Sequence, residues 1–264
     1  MTQHTKAEEL LCAKNVSLSY GEIPVLRDIN FCIRNITRPG VLQGQVVSLI
    51  GRSGIGKTQL FKILSGLQQP TGGTVTINNN KPVTAGDMGV IFQNYYLFEW
   101  RTVCQSLMLA AKQNKKLSGQ EKQAIETYAE QFHLTSHLKR YPQQLSGGQR
   151  QRASIIQQLL KGSDFLLLDE PFSGLDVCVL DKVVELLQQV SLSDELKTLI
   201  IVSHDIETAV AISDTVYILG NEPGNAGATI KKEIDLVERD LAWKDNIKKE
   251  KAFLETMEEI KSYL

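Results

Sequence analysis

Short apolar or alternating runs alternate along this chain with longer stretches of helical spacing. Between residues 14 and 50 the runs Val16–Tyr20, Ile29–Ile33 and Val46–Ile50 are bounded by Gly21, Pro39-Gly40 and Gly44, which predicts strands joined by turns. Leu60, Ile63, Leu64 and Leu67 recur at three- and four-residue steps and predict a helix over Lys57–Leu67. Pro70-Thr71-Gly72-Gly73 breaks it, and Val75, Ile77 and Val90–Phe92 return to strand character. The stretch from about 94 to 160 reads as mostly helical. Ile125, Tyr128, Ala129 and Phe132 share one side of Glu121–Phe132, and Gly147–Lys161 follows a Ser-Gly-Gly turn suited to a helix N-terminus.

Beyond it the expected order is strand (Phe165–Asp169), helix (Val177–Val190), strand (Thr198–Ser203), helix (Ile206–Ser213) and strand (Thr215–Leu219). Strands alternating with helices imply an α/β fold with a mostly parallel sheet covered on both faces. Residues 221–230 read as a Gly-rich loop. Residues 235–264 read as a charged amphipathic helix with Phe253, Leu254, Met257, Ile260 and Leu264 on one side, either covering its own core or touching a partner.

Composition narrows the function classes. The 264 residues carry 29 Lys+Arg against 30 Asp+Glu, which gives no support to nucleic-acid binding. No apolar run approaches the roughly 20 residues needed to span a bilayer. The N-terminus does not follow the layout of a signal peptide. Cys12, Cys32, Cys104 and Cys178 are scattered without CxxC spacing and read as free thiols in a reducing cytosol.

The chemistry begins at Gly51-Arg52-Ser53-Gly54-Ile55-Gly56-Lys57-Thr58, a GxxxxGK[ST] run between an expected strand and an expected helix. That context marks a P-loop, which binds ATP. Glycines at 51, 54 and 56 and the backbone at Ser53 let N–H groups approach phosphate oxygens, and the following helix aims its positive end at them. Lys57 is placed to reach the β- and γ-phosphates, and Thr58 to place its hydroxyl on Mg²⁺. Further on, the apolar strand Phe165–Leu168 ends in Asp169-Glu170. Asp169 is suited to hold Mg²⁺ and Glu170 to polarise an attacking water; solvated acids at an ordinary strand exit are the alternative.

Leu145-Ser146-Gly147-Gly148-Gln149 stands just before the expected helix 147–161. With the P-loop, Gln93, the acidic strand and His204 in that order, the chain resembles the ATP-binding cassette family over about residues 14–220. The resemblance implies a RecA-like P-loop core, an antiparallel β subdomain and an inserted helical subdomain. The divisions expected are 1–93 for the β subdomain and P-loop part of the core, 94–160 for the helical signature subdomain, 161–220 for the rest of the core, and 221–264 for a C-terminal loop and helix. By the same resemblance Tyr20 stacks on adenine, with burial in the core as the alternative. Gln93 contacts Mg²⁺ or the attacking water, and His204, within Ser203-His204-Asp205, contacts the γ-phosphate. Ser173-Gly174-Leu175-Asp176 touches the partner's site. Ser146 and Gly148 serve ATP held by the opposite subunit of a dimer, so each site is composite.

Leu97-Phe98-Glu99-Trp100-Arg101-Thr102-Val103 is similar to a run in importers for nitrate, sulfonates and taurine, where the region receives a permease helix. Phe98 and Trp100 form an apolar docking patch on that view, or pack inside the helical subdomain. Separate permease subunits and a solute-binding protein follow as partners, with the chain peripheral on the cytoplasmic face of the membrane and the cargo a small anionic or organic solute. A cassette ATPase of cell division or repair is the rival. The departures are Gln59 where a hydroxyl residue is common, Gln157 where an arginine is common, Glu99 for a proline, and a few extra residues over 34–43.

Overall fold

A computed structural model describes residues 5–37, 44–78, 80–173, 180, 183–185, 187, 188, 190, 197–244 and 247–264. The chain opens with two long antiparallel strands, β1 (Thr5–Tyr20) and β2 (Ile23–Thr37), joined by a tight turn at Gly21, whose φ of 60° suits glycine. The hairpin is longer than the short apolar runs suggest, because polar residues on its outer face complete the ladder. β4 (Gly72–Ile77) pairs antiparallel with β1, and the short β5 (Lys81–Pro82) with β4.

The hairpin register corrects one expectation from the sequence. Cys12 and Cys32 are direct partners across β1 and β2, their Cα atoms 4.2 Å apart, and they form a disulfide. Opposed positions in an antiparallel pair approach this closely, so a bridge needs no local CxxC spacing. Cys104 is free, as expected, and Cys178 lies outside the described residues.

The remaining strands extend the same sheet. Its order is β5-β4-β1-β2-β10-β9-β3-β8-β7-β6, ten strands in all among the described residues. β3 (Gln45–Ile50) runs parallel to β8 (Thr198–Ser203) and β9 (Thr215–Asn221), and β7 (Phe165–Asp169) parallel to β8 and β6 (Gly89–Ile91). Every residue of β3, β7 and β8 is buried, which is why these strands read as continuous apolar runs.

β10 (Ala228–Asp235) lies antiparallel on β9, where the sequence suggested a loop passing into a helix. Its burial pattern breaks alternation at Lys231–Glu233, so the period of two is hidden. The C-terminal helix is correspondingly shorter, Lys251–Tyr263 (α6 below). Phe253, Met257 and Ile260 are buried, but Leu254 is 55% exposed and lies off the apolar face.

Helices cover the sheet. α1 (Lys57–Leu64) follows β3, and α5 (Ile206–Ile212) follows β8. Between β6 and β7 stand α2 (Val103–Ala111), α3 (Glu121–Gln131) and α4 (Gly147–Lys161). Thr102 and Ser146 begin α2 and α4 with reciprocal capping boxes, paired with Gln105 and Gln149. Leu107, Ile125, Phe132, Ile156 and Leu160 pack this group onto Leu166 and Leu168 of β7. Much of the helix expected over Val177–Val190 lies outside the described residues.

Asp214 ties this architecture to the strand that carries the P-loop. Its carboxylate is fully buried and accepts from the Val46 backbone N–H at 2.8 Å and from Trp243 Nε1 at 2.7 Å. Asp214→Ala strands both donors and is expected to cost about 2–4 kcal/mol in denaturant unfolding, with Asp214→Asn, which keeps one acceptor, losing less.

Candidate functional site

β3 ends at Ile50 and the chain turns through Gly51–Gly56 into α1. Two glycines are required there by space. A Cβ on Gly51 would sit 2.7 Å from the Leu219 carbonyl oxygen, and one on Gly56 (φ 109°) would sit 3.1 Å from Leu26 and 3.2 Å from Val25. The loop is thus pressed closely against Leu219, Val25 and Leu26 of the sheet.

Lys57 is buried. Its Nζ donates to the carbonyls of Gly51 (3.0 Å) and Arg52 (3.2 Å) and lies 3.5 Å from Glu170 Oε1. Glu170 follows β7 with φ 50°, a left-handed conformation that a non-glycine residue adopts only when its surroundings hold it there. They do: its backbone N–H donates to the Val202 carbonyl at 2.8 Å. Its Oε2 accepts from the His204 backbone N–H at 3.2 Å, from His204 Nδ1 at 2.7 Å and from the Ser203 hydroxyl at 3.4 Å. A contact that short to a carboxylate puts the proton on Nδ1, leaving Nε2 of the half-exposed imidazole facing outward.

Asp169, one residue earlier, is buried at 7% exposure. Burial raises its pKa above the ordinary carboxylate value, and the negative charge of Glu170 raises it further; the Thr58 hydroxyl and the Lys57 and Lys62 ammoniums pull it back. Its Oδ1 has no hydrogen-bond partner among the described residues. An orphaned carboxylate oxygen beside a threonine hydroxyl is a donor set that fits a hard divalent cation such as Mg²⁺. Gln93, just past β6, is exposed, and its Nε2 donates to Ser173 Oγ at 3.2 Å.

Lys57, Glu170, His204 and Gln93 face a cleft of about 490 Å³. Of the residues singled out from sequence, Tyr20, Ser53, Gly54, Gly56, Lys57, Thr58, Gln93, Glu170 and His204 line it. Gly51 and Asp169 lie behind its wall, as the acceptor for Lys57 and the neighbour of Glu170. Tyr20 is 53% exposed, so it is not packed in the core.

Ser146 and Gly148 do not line the cleft. Ser146 is exposed; its Oγ accepts from Gln149 N–H at 3.3 Å while Gln149 Oε1 accepts from Ser146 N–H at 2.9 Å. Gly174–Asp176 of the loop after Ser173 lie outside the described residues.

Val25, Gln59 and Ser173 also line the cleft, without having been assigned a part in ligand binding from sequence. Gln59 is visible there as a departure, but nothing local reveals its partner, Tyr20. Phe98 and Trp100 lie with ring centroids 5.5 Å apart and planes tilted by 54°, and Trp100 is 73% exposed rather than enclosed. Among the described residues no helix is long and apolar enough to cross a membrane.

A family model described as ABC transporter matches residues 37–173. The ABC transporter ATP-binding protein YtlC of Bacillus subtilis is 37% identical over 195 residues, covering 73% of this chain and 75% of the relative. The nitrate import ATP-binding protein NrtD of Synechocystis is 32% identical over 257 residues, covering 92% of this chain and 89% of the relative. The dimeric, post-hydrolysis structure of the ATP-binding cassette MJ0796 with ADP and Pi superimposes with a TM-score of 0.68 at 26% identity, covering 86% of this chain and 99% of that one.

The state of Asp169 leads to a stability test. An acid whose folded pKa lies above its unfolded one penalises the fold above the folded pKa, and the penalty vanishes below the unfolded value. Ligand-free Asp169→Asn is therefore expected to melt higher than the parent near pH 7, with the gap closing as pH falls into the carboxylate range. Thermal melts across pH read this directly.

Proposed function

The chain belongs to the ABC transporter family as an ATP-binding, ATP-hydrolysing subunit that energises transport, and from that premise we propose that it works as half of a dimer with composite nucleotide sites. The observation that carries the proposal is the convergence of Lys57, Thr58, Glu170 and His204 on one cleft while Ser146 stands exposed outside it.

In the proposed site ATP lies along the cleft with adenine on Tyr20 and its phosphates on the backbone of Ser53–Gly56. Lys57 already sits among carbonyl oxygens, and a phosphate brings it stronger acceptors close by. Thr58, Asp169 and Gln93 would hold Mg²⁺, which when bound neutralises charge on the β- and γ-phosphates. Glu170 orients and polarises the attacking water, and its grip on His204 Nδ1 directs Nε2 to the γ-phosphate. Ser146, Gly148 and the N-terminus of α4 meet the γ-phosphate of the partner's ATP, where a helix start suits an anion. Hydrolysis then removes a bonded anion from the interface, and the dimer loosens.

Exposed Trp100, with Phe98 beneath it, supplies an apolar surface for a permease subunit. Similarity to a nitrate import subunit supports import of a small anionic or organic solute delivered by a solute-binding protein. The near balance of charge supports partners other than nucleic acid.

Two variants test this. Lys57→Ala is expected to reduce steady-state ATP turnover about a hundredfold or more. Glu170→Gln is expected to slow hydrolysis to a similar degree while still binding ATP, and so to accumulate as a dimer on size exclusion with excess Mg-ATP. A Glu170→Gln protein that binds ATP but elutes as a monomer rules out the ATP-closed dimer.

A further inference from the structure

Tyr20 is the last residue of β1, with only the two-residue turn between it and Ile23 of β2. A half-exposed ring at such a place ordinarily samples several rotamers. Here the hydroxyl is held twice. It donates to Gln59 Oε1 at 2.9 Å and accepts from Gln68 Nε2 at 2.9 Å. A phenol has one proton, so one partner must present an oxygen and the other a nitrogen, as these two amides do.

One amide belongs to the helix that follows the phosphate loop and the other to the turn after it. Gln59 is the third residue of α1, directly after Lys57 and Thr58. Gln68 follows the end of α1, and its backbone N–H, like that of Leu67, bonds back to the Lys62 carbonyl. The two side chains therefore reach, one from the first turn of α1 and one from the turn tied back to its last residues, to a ring carried by β1. Gln59 stands where the family resemblance leads one to expect a hydroxyl residue, whose shorter side chain lacks the reach of the glutamine.

We infer that Gln59 and Gln68 are positioning residues: they clamp the Tyr20 hydroxyl so that its ring stands as a preformed nucleobase platform at a set distance from the phosphate loop. This rests on the proposed role of Tyr20 beneath adenine. Its consequence is energetic. An untethered ring must be ordered when the base stacks, whereas a clamped one has already lost that freedom, a difference worth roughly two- to tenfold in affinity. The gain concerns the base alone, since the phosphates are held by α1 and the loop before it.

The test compares KM for ATP, kcat, and the competition constant of Mg-tripolyphosphate, which carries the phosphates without a base. Tyr20→Ala, which removes the ring, is expected to raise KM by roughly tenfold or more. Tyr20→Phe keeps the ring and removes the clamp, so KM should rise roughly threefold with kcat held. Gln68→Leu should do the same, and the Tyr20→Phe/Gln68→Leu double variant should show no further rise. Tripolyphosphate should compete equally well in all four.

If Tyr20→Ala raises KM but Tyr20→Phe and Gln68→Leu match the parent, the clamp is refuted while the platform stands. An additive double variant, or weakened tripolyphosphate competition in Gln68→Leu, also refutes it, because the glutamine then acts on the cradle instead. If Tyr20→Ala leaves KM unchanged, the platform reading itself fails.

Discussion

The site depends on the register of three parallel strands that end within one residue of one another. β3, β7 and β8 are paired so that Ile50 stands beside Ser203 and Asp169 beside Val202. Gly51 and His204 follow Ile50 and Ser203 at one level, and Glu170 follows Asp169 one step lower, so the start of the phosphate loop, the acid and the imidazole emerge within one residue step of one another. Slipping any strand by a residue would turn its side chains to the other face and move its terminal group by about 3.3 Å, more than a hydrogen bond tolerates. The uninterrupted burial of all three strands holds that register.

Asp169 and Glu170 are consecutive and carry like charges, and the structure balances them unevenly. Glu170 is well supplied, with Lys57, His204 and Ser203 all within reach. Asp169, deeper in the sheet, keeps an oxygen without a partner and is held toward its neutral form by burial and by Glu170. Two adjacent carboxylates thus stand in unlike surroundings, one with three partners and one with an orphaned oxygen. In the proposed function the one with partners works on a water and the one without would hold a cation. Strain follows the same division, since the left-handed backbone occurs at Glu170, where a β7 of ordinary geometry would aim the next side chain elsewhere.

Legibility in the sequence tracks how local each signal is. The phosphate loop, the acid pair and the Ser146 turn are contiguous runs whose spacing is itself the chemistry, and the central strands betray themselves by full burial. What escaped depends on distant pairing. β10 hides because Lys231–Glu233 interrupt its alternation and only pairing with β9 makes it a strand. The Cys12–Cys32 bridge exists only through the hairpin register. The amphipathic reading of 235–264 grouped Leu254 with true core positions, because apolar residues at near-helical spacing cannot show which neighbour covers them. Gln59 was conspicuous as a departure, but its meaning required knowing that Tyr20, 39 positions away, folds over it.

In the proposed dimer one chain alone presents an incomplete site. Within the chain, Ser146 Oγ accepts from Gln149 N–H, so the serine is already satisfied as a helix cap, and its own hydroxyl proton is left to donate. The capping box thereby builds a helix start that is ordered and outward-facing, with an exposed glycine, Gly147, following it. A helix needs a cap for stability alone, but stability does not call for leaving that end uncovered and free of bulky side chains. An anion supplied from outside would complete it, and in the proposed dimer that anion is the terminal phosphate held by the other chain's Lys57. Each subunit would then pair an occupied cradle with an open helix start, and neither half could close on its ligand without the other.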